Sequence, residues 1–373
     1  MSAQSYQSMH RASPVIDGHN DVLGRVLRGG DITVRSKKGH SDIPRLREGS
    51  VDAQIFAVWV PTRHKGAAAW RYTLEAIDSM KAMVDRMPDM LLLATGHDDI
   101  DRAIREDKLA VILSLEGGRS IEGKRERILE LHRRGLRAFG LTWNNSHEWA
   151  TSSKDEHEGR VSGGLSEKGK DFVRLMDSLG ILVDVSHLGE RAFHDVAAIS
   201  TQPLFASHSS CAALRTHHRN LSDEQLRMIA GSDGVAMINF FPVFLVSNLT
   251  KQRIAAMRAF ERRMQALKKE HPDRGENYLQ AYDALVAEAM AAGLCTIENV
   301  VAHIDHAVRV AGPAHVGLGS DFDGINLTPV GLNDVTDLPM LTRALMHKGF
   351  TEQQIYGILG GNVLRIWRQR IDR

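Results

Sequence analysis

Eight short apolar runs, each followed by a longer polar or amphipathic stretch, constrain this chain more than any other feature. They span Pro14–Asp21, Val51–Val60, Leu109–Glu116, Leu136–Trp143, Ile181–His187, Pro203–His208, Val235–Phe241 and His315–Asp321. Most are rich in Val, Ile, Leu and Ala without strict polar alternation, the pattern of parallel strands covered on both faces. Helical patterns lie between most of them. Ala67–Arg86 carries Tyr72, Ile77, Met80 and Val84 on overlapping helical spacings, and Glu122–Arg134 carries Ile128, Leu129 and Leu131. Ser166–Leu179 runs through Phe172, Leu175 and Met176 from a Ser166 N-cap, and Ser222 with Gln225 forms a capping box. Gly135, Gly180 and Gly234 stand where a helix stops and the next strand begins. Leu27–Lys38, with Gly29 and Gly30, reads as a small hairpin. This alternation predicts an α/β fold, a closed (β/α)8 TIM-type barrel rather than an open doubly wound sheet.

One segment is longer than a barrel needs. More than 70 residues separate Phe241 from His315. Ile254, Met257, Phe260, Met264 and Leu267 make one amphipathic stripe, and Tyr278, Tyr282, Leu285 and Ala289 a second after a Pro272/Gly275 break. A third helix covers Ile297–Val310. The expectation is a helical insertion between strands seven and eight, about residues 246–296, inside one hydrolase domain spanning 1–373. It reads as core-packing helices, or as a lid or a homodimer interface. A net charge of +1 gives no reason to expect a nucleic-acid or membrane-surface partner. There is no apolar run of about 18 residues, and Met1–Ser13 lacks an apolar signal core. Two cysteines suit a reducing compartment, so a cytoplasmic protein is expected. Cys211 reads as a small packed residue rather than a ligand.

Chemistry in such a barrel sits where the strands end. His19 and Asp21 close the first run, and residues two apart on an extended strand share a face. Glu116 closes the third run, His187 the fifth, His208 the sixth and Asp321 the eighth. Each alone is commonplace: a strand-end His bonds a loop, a Glu before Gly-Gly caps a turn, an Asp before Phe-Asp-Gly makes one. Together they converge on one point. Mixed imidazole and carboxylate ligation suits zinc. Five ligands exceed the three of a single catalytic zinc, and they match two metals about 3.5–4 Å apart that share Glu116 and hold a hydroxide between them. Asp321 is then placed to accept and return a proton.

With D-G-H-N-D at residues 17–21, SDIPRLREG at Ser41–Gly49, EGG at Glu116–Gly118, LVDVSH ending at His187, SHSS at Ser207–Ser210 and GSDFDG ending at Gly324, the chain resembles the renal (membrane) dipeptidase family of zinc peptidases, within the amidohydrolase superfamily. The resemblance implies two zinc ions or other divalent metals, with His19 and Asp21 on one, His187 and His208 on the other, and Glu116 bridging. It implies Asp321 as the catalytic acid/base and Arg219 as the partner of the substrate's terminal carboxylate, a role that suits a guanidinium fork. The implied activity is hydrolysis of small dipeptides, with a D-residue accepted at the C-terminal position. There is one departure. Better-known members carry a substrate-contacting histidine after Leu-Thr, where this chain has Trp143 followed by Asn144. Asn144 or His147 is left to take its place. Two rivals stand beside this reading: a metal-dependent amidohydrolase acting on N-acyl amino acids, lactams or esters, and a binding protein that kept the fold without catalysis.

Overall fold

The computed structural model describes residues 3–370. Among them nine strands form one sheet: β1 (Ile16–Asn20), β2 (Ala53–Trp59), β3 (Leu91–Leu93), β4 (Leu109–Glu116), β5 (Leu136–Gly140), β6 (Leu182–Asp184), β7 (Phe205–Ala206), β8 (Val235–Asn239) and β9 (Val316–Gly319). Every pairing between them is parallel, in the order β2-β1-β9-β8-β7-β6-β5-β4. The additional β2–β4 ladder, from Ala53↔Ala110 to Trp59↔Glu116, closes this order into an eight-stranded α/β barrel of TIM type. The eight strands fall inside the eight apolar runs. The ninth, β3, has only three residues; it pairs with Leu109–Val111 of β4, ahead of the residues that pair with β5.

Strand alternation splits the apolar side chains into two clusters. Ile16, Ile55, Ala110, Ile112, Phe205 and Met237 fill the barrel, and Val363, Ile366 and Trp367 of the helix Asn362–Arg370 join them from the end where the strands begin. Leu113, Leu115, Val183 and Ile238 face outward onto helices, meeting residues such as Met80, Leu131, Met176 and Ile304. Because Ala110 and Ile112 point inward, Glu116, four residues beyond Ile112, points inward at the mouth.

The predicted helices are present as Gly66–Arg86, Arg125–Arg133, Glu167–Ser178 with a Ser166 cap, and Asp223–Gly231 with the Ser222/Gln225 box. Helices Lys251–Glu270, Glu276–Ala291 and Ile297–Ala311 occupy the long β8–β9 connection. Met257, Phe260, Met264 and Leu267 of the first, and Tyr278, Tyr282 and Ala289 of the second, are buried in the outer cluster. One expectation is corrected: Leu27–Lys38 forms turns, not a hairpin. Gly234 does stand between the helix ending at Gly231 and β8, although the left-handed residue there is Asp233 (φ 59°). Gly234 is needed for a different reason: a Cβ there would lie 2.1 Å from the Leu204 carbonyl oxygen. Among the described residues no helix is long and apolar enough to cross a membrane.

Candidate metal centre

His19 and Asp21 meet, but not by strand alternation. β1 follows β2 through Asp17↔Gln54 and then gains a residue, so that Asn20 faces Phe56. Asp21 has left the strand (φ −97°, ψ 16°) and starts the helix Val22–Val26. The bulge and the turn bring Asp21 Oδ2 to 3.3 Å from His19 Nε2. Behind them Asp17 ties the strand down: its Oδ1 accepts from Ser320 N at 2.7 Å, and its Oδ2 accepts from Ser320 Oγ at 2.6 Å and Gln54 Nε2 at 2.9 Å.

Glu116 stands between two groups of imidazoles. Its Oε2 is 3.6 Å from His19 Nε2. Its Oε1 is 2.9 Å from His187 Nε2 and 3.6 Å from His208 Nε2. The two Nε2 atoms of His187 and His208 lie 3.0 Å apart. His187 is held in the left-handed region (φ 71°), as is Asp321 (φ 61°), so two of these residues occupy backbone states that non-glycine residues seldom adopt.

The electrostatics are those of a crowded, dry site. Burial disfavours charge on His19, yet the Glu116 and Asp21 carboxylates hold it well above the ordinary imidazole range. Burial pushes His187 down to about 3 and His208 well below its usual range, with Arg219 adding to both. Burial raises Glu116, but His19 and His187 more than reverse this and hold it below the usual carboxylate range. Burial raises Asp321 to about 7; His19 opposes the shift while Asp21 and Glu116 add to it. Asn239 Nδ2 donates to Asp321 Oδ2 at 2.9 Å.

A cavity of about 530 Å3 opens over this cluster, walled in part by Asp21, Glu116, His187, His208, Arg219 and Asp321. Arg219 is buried; its Nη2 donates to the His208 carbonyl at 3.3 Å, and its Nε has no partner. Among the described residues no carboxylate lies within ion-pair distance of it. Trp143 and Asn144 also line the cavity, whereas His147 does not; it stacks on Trp149, with ring centroids 4.6 Å apart. Gly117 (φ 84°) clears space for Trp143, whose backbone N and Cβ lie 3.0 Å from where a Cβ would stand. Sequence reasoning missed Trp59, which packs edge-on against Trp143 at 5.1 Å and lines the same cavity. Its signal was available: Trp59 is the last residue of β2 and shares the face of Ala53 and Ile55. Cys211 is a packed residue, its Sγ donating to the His303 carbonyl at 3.3 Å.

The donor set fits a divalent cation. His19 Nε2 is buried with no hydrogen-bond partner. Ligand atoms of His19, Glu116 and His208 lie within 4.8 Å of one another, as do those of His19, Asp21 and Asp321. Imidazole and carboxylate at this density suit a metal such as zinc.

Comparison with known proteins agrees with this chemistry. The sequence matches the family described as membrane dipeptidase, peptidase family M19, over residues 3–372. Three solved structures share the fold along nearly the whole chain. A dipeptidase of the same family is 27% identical, with a TM-score of 0.79, covering 97% of this chain and 99% of its own. A metallopeptidase from Rhodobacter sphaeroides, bound to a phosphinate mimic of L-Ala-D-Ala, is 26% identical, with a TM-score of 0.77 and coverage of 96% and 99%. A probable dipeptidase from Pseudomonas aeruginosa is 26% identical, with a TM-score of 0.80 and coverage of 99% and 98%. This chain therefore belongs to the membrane dipeptidase family, M19, and is a metal-dependent peptidase whose substrates are small peptides.

Proposed function

We propose that the chain is a single-domain, binuclear zinc dipeptidase. In this reading His19 and Asp21 hold one ion, His187 and His208 the other, and Glu116 lies between them. The observation that carries it is the division of the Glu116 carboxylate, with Oε2 toward His19 and Oε1 toward His187 and His208. Bound metals would supply Lewis acidity, lowering the pKa of water and polarising the scissile carbonyl. Arg219 pairs with the dipeptide's terminal carboxylate; its burial without a carboxylate partner supports this, because an unpaired buried guanidinium is costly. Asp321 moves the proton from the attacking water to the leaving amine, held in orientation by Asn239. Trp59 and Trp143 give the cavity an apolar wall, and Asn144 offers an amide to the substrate. The Rhodobacter relative with its L-Ala-D-Ala mimic supports a D-residue at the C-terminal position.

The test is a panel of L,L and L,D dipeptides, N-acyl amino acids, lactams and esters, presented to zinc-loaded protein. Hydrolysis of dipeptides, including L-Ala-D-Ala, is expected. Turnover confined to non-peptide amides or esters, or dipeptide binding with no turnover, would overturn the proposal.

A further inference from the structure

We propose that Asp184 and Ser207 are positioning residues that lock His208 in one tautomer, with the proton on Nδ1 and the Nε2 lone pair turned into the metal centre. The inference rests on the ligand role given to His208 above.

Asp184 ends β6, and Ser207 follows β7 directly. Both are buried. Asp184 Oδ1 accepts two backbone N–H groups, from Ser186 and Ser207, each at 3.0 Å. Its Oδ2 faces Ser207 Oγ at 2.5 Å, and the same Oγ faces His208 Nδ1 at 2.6 Å. Burial raises Asp184, while the hydrogen bonds from Ser207 and Ser186 oppose that rise; its two oxygens accept from three donors, two of them backbone N–H groups that can only donate. A serine hydroxyl has a single proton. That proton must lie on the 2.5 Å line to Asp184, since two oxygen lone pairs at that distance would repel. Ser207 Oγ is therefore an acceptor toward His208, and Nδ1 carries the hydrogen. His208 Nε2 is left bare, 3.0 Å from His187 Nε2 and 3.6 Å from Glu116 Oε1. His187 has no such support, because its Nδ1 is buried without a partner. Of the two imidazoles in this half of the site, only His208 has a protein partner on Nδ1, the nitrogen turned away from the other ligands, and outer partners of this kind govern ligand basicity and metal affinity.

The chain of donors can be reversed by one atom. In Asp184→Asn the two N–H groups still require an oxygen at the Oδ1 position, so the amide nitrogen occupies the Oδ2 position. It donates to Ser207, whose proton then turns to His208 Nδ1 and forces the proton onto Nε2. Ser207→Ala only frees the ring to choose. Two readouts follow: nitrogen-15 histidine spectra of the metal-free protein, and zinc titration of each variant. We expect Nδ1–H for His208 in the wild type, Nε2–H in Asp184→Asn, and a mixture in Ser207→Ala. Asp184→Asn should lose roughly 10–100-fold in affinity for one of two zinc ions. Ser207→Ala should lose less, and the double variant should bind better than Asp184→Asn alone. A double variant that binds worse than either single one, or a His208 tautomer that ignores all the substitutions, would overturn the inference. If Asp184→Asn does not fold, the tautomer in Ser207→Ala decides it: a mixture supports the relay and an unchanged Nδ1–H refutes it. A wild type that binds no metal would remove the two-metal reading, while the metal-free spectra would still judge the relay.

Discussion

At the scale of single residues, charge without an internal partner marks function. Arg219 is a buried guanidinium on the cavity wall, and among the described residues no carboxylate lies within ion-pair distance of it. Replacing it with Gln removes the anchor for a substrate carboxylate. Loss of one member of a buried charged pair costs about 2–5 kcal/mol, so kcat/KM for dipeptides should fall by roughly 30- to 5,000-fold. Steady-state kinetics check this, and an unchanged kcat/KM would assign the arginine to structure. Asp321→Asn removes the proposed proton carrier and leaves the five proposed ligands in place. Turnover should drop by roughly 100- to 10,000-fold while metal content stays at the wild-type value. The convergence of His19, Asp21, Glu116, His187 and His208 was legible because these side chains stand at the ends of apolar runs. Asp184 and Ser207 were not, since their roles rest on which proton lies between which atoms, and one-dimensional spacing carries no such information. Trp59 was overlooked because an indole in an apolar run reads first as core.

At the scale of elements, the strands position the site through close backbone approach. A Cβ on Gly319 of β9 would lie 2.0 Å from the Ser207 carbonyl oxygen, so β9 can sit there only as glycine. Gly319→Ala should destabilise the fold by about 1–3 kcal/mol through overpacking and should weaken zinc binding by displacing Ser207 and His208. Thermal unfolding with a parallel zinc titration measures both; a stable variant with wild-type affinity would show that the barrel absorbs the methyl group without moving the ligand. The eight barrel strands were readable from apolar runs because both of their faces are covered. β3 was not, because three leucines in a row are too short to declare a period. The His19/Asp21 pair was anticipated with a different geometry. Strand periodicity assumes an unbroken ladder, and the bulge in β1 together with the helical turn at Asp21 replaces it.

At the scale of the whole molecule, two buried histidines far from one another tie distant segments together in their neutral form. His10, in the first helix, contacts Thr342 Oγ1 at 2.7 Å and the Gly49 carbonyl at 3.0 Å. His303 accepts from Cys211 N at 3.0 Å through Nδ1 and donates through Nε2 to the Leu245 carbonyl at 3.2 Å, joining the β7 loop, the β8 loop and the helix Ile297–Ala311. Burial lowers each of them to about 4 from an ordinary value of 6.5. The unfolded chain therefore binds protons that the folded chain refuses between those values. Stability contributed by these two groups is fully present above pH 6.5 and is lost as the pH falls toward 4, at up to about 1.4 kcal/mol per pH unit for each group. Denaturant unfolding of the metal-free protein across this window should show that slope. His303→Asn, which keeps an acceptor for Cys211 N, should be less stable at pH 7 and show a shallower slope. An identical slope in this variant would exclude His303 as a source.

If the Glu116 carboxylate joins two metals, native mass spectrometry should count two zinc ions per wild-type chain, two in Asp321→Asn, and at most one in Glu116→Gln, whose amide offers a single ligating oxygen in place of two. A wild-type chain that saturates with one ion, or a Glu116→Gln chain that keeps both while Asp321→Asn loses them, would contradict this reading.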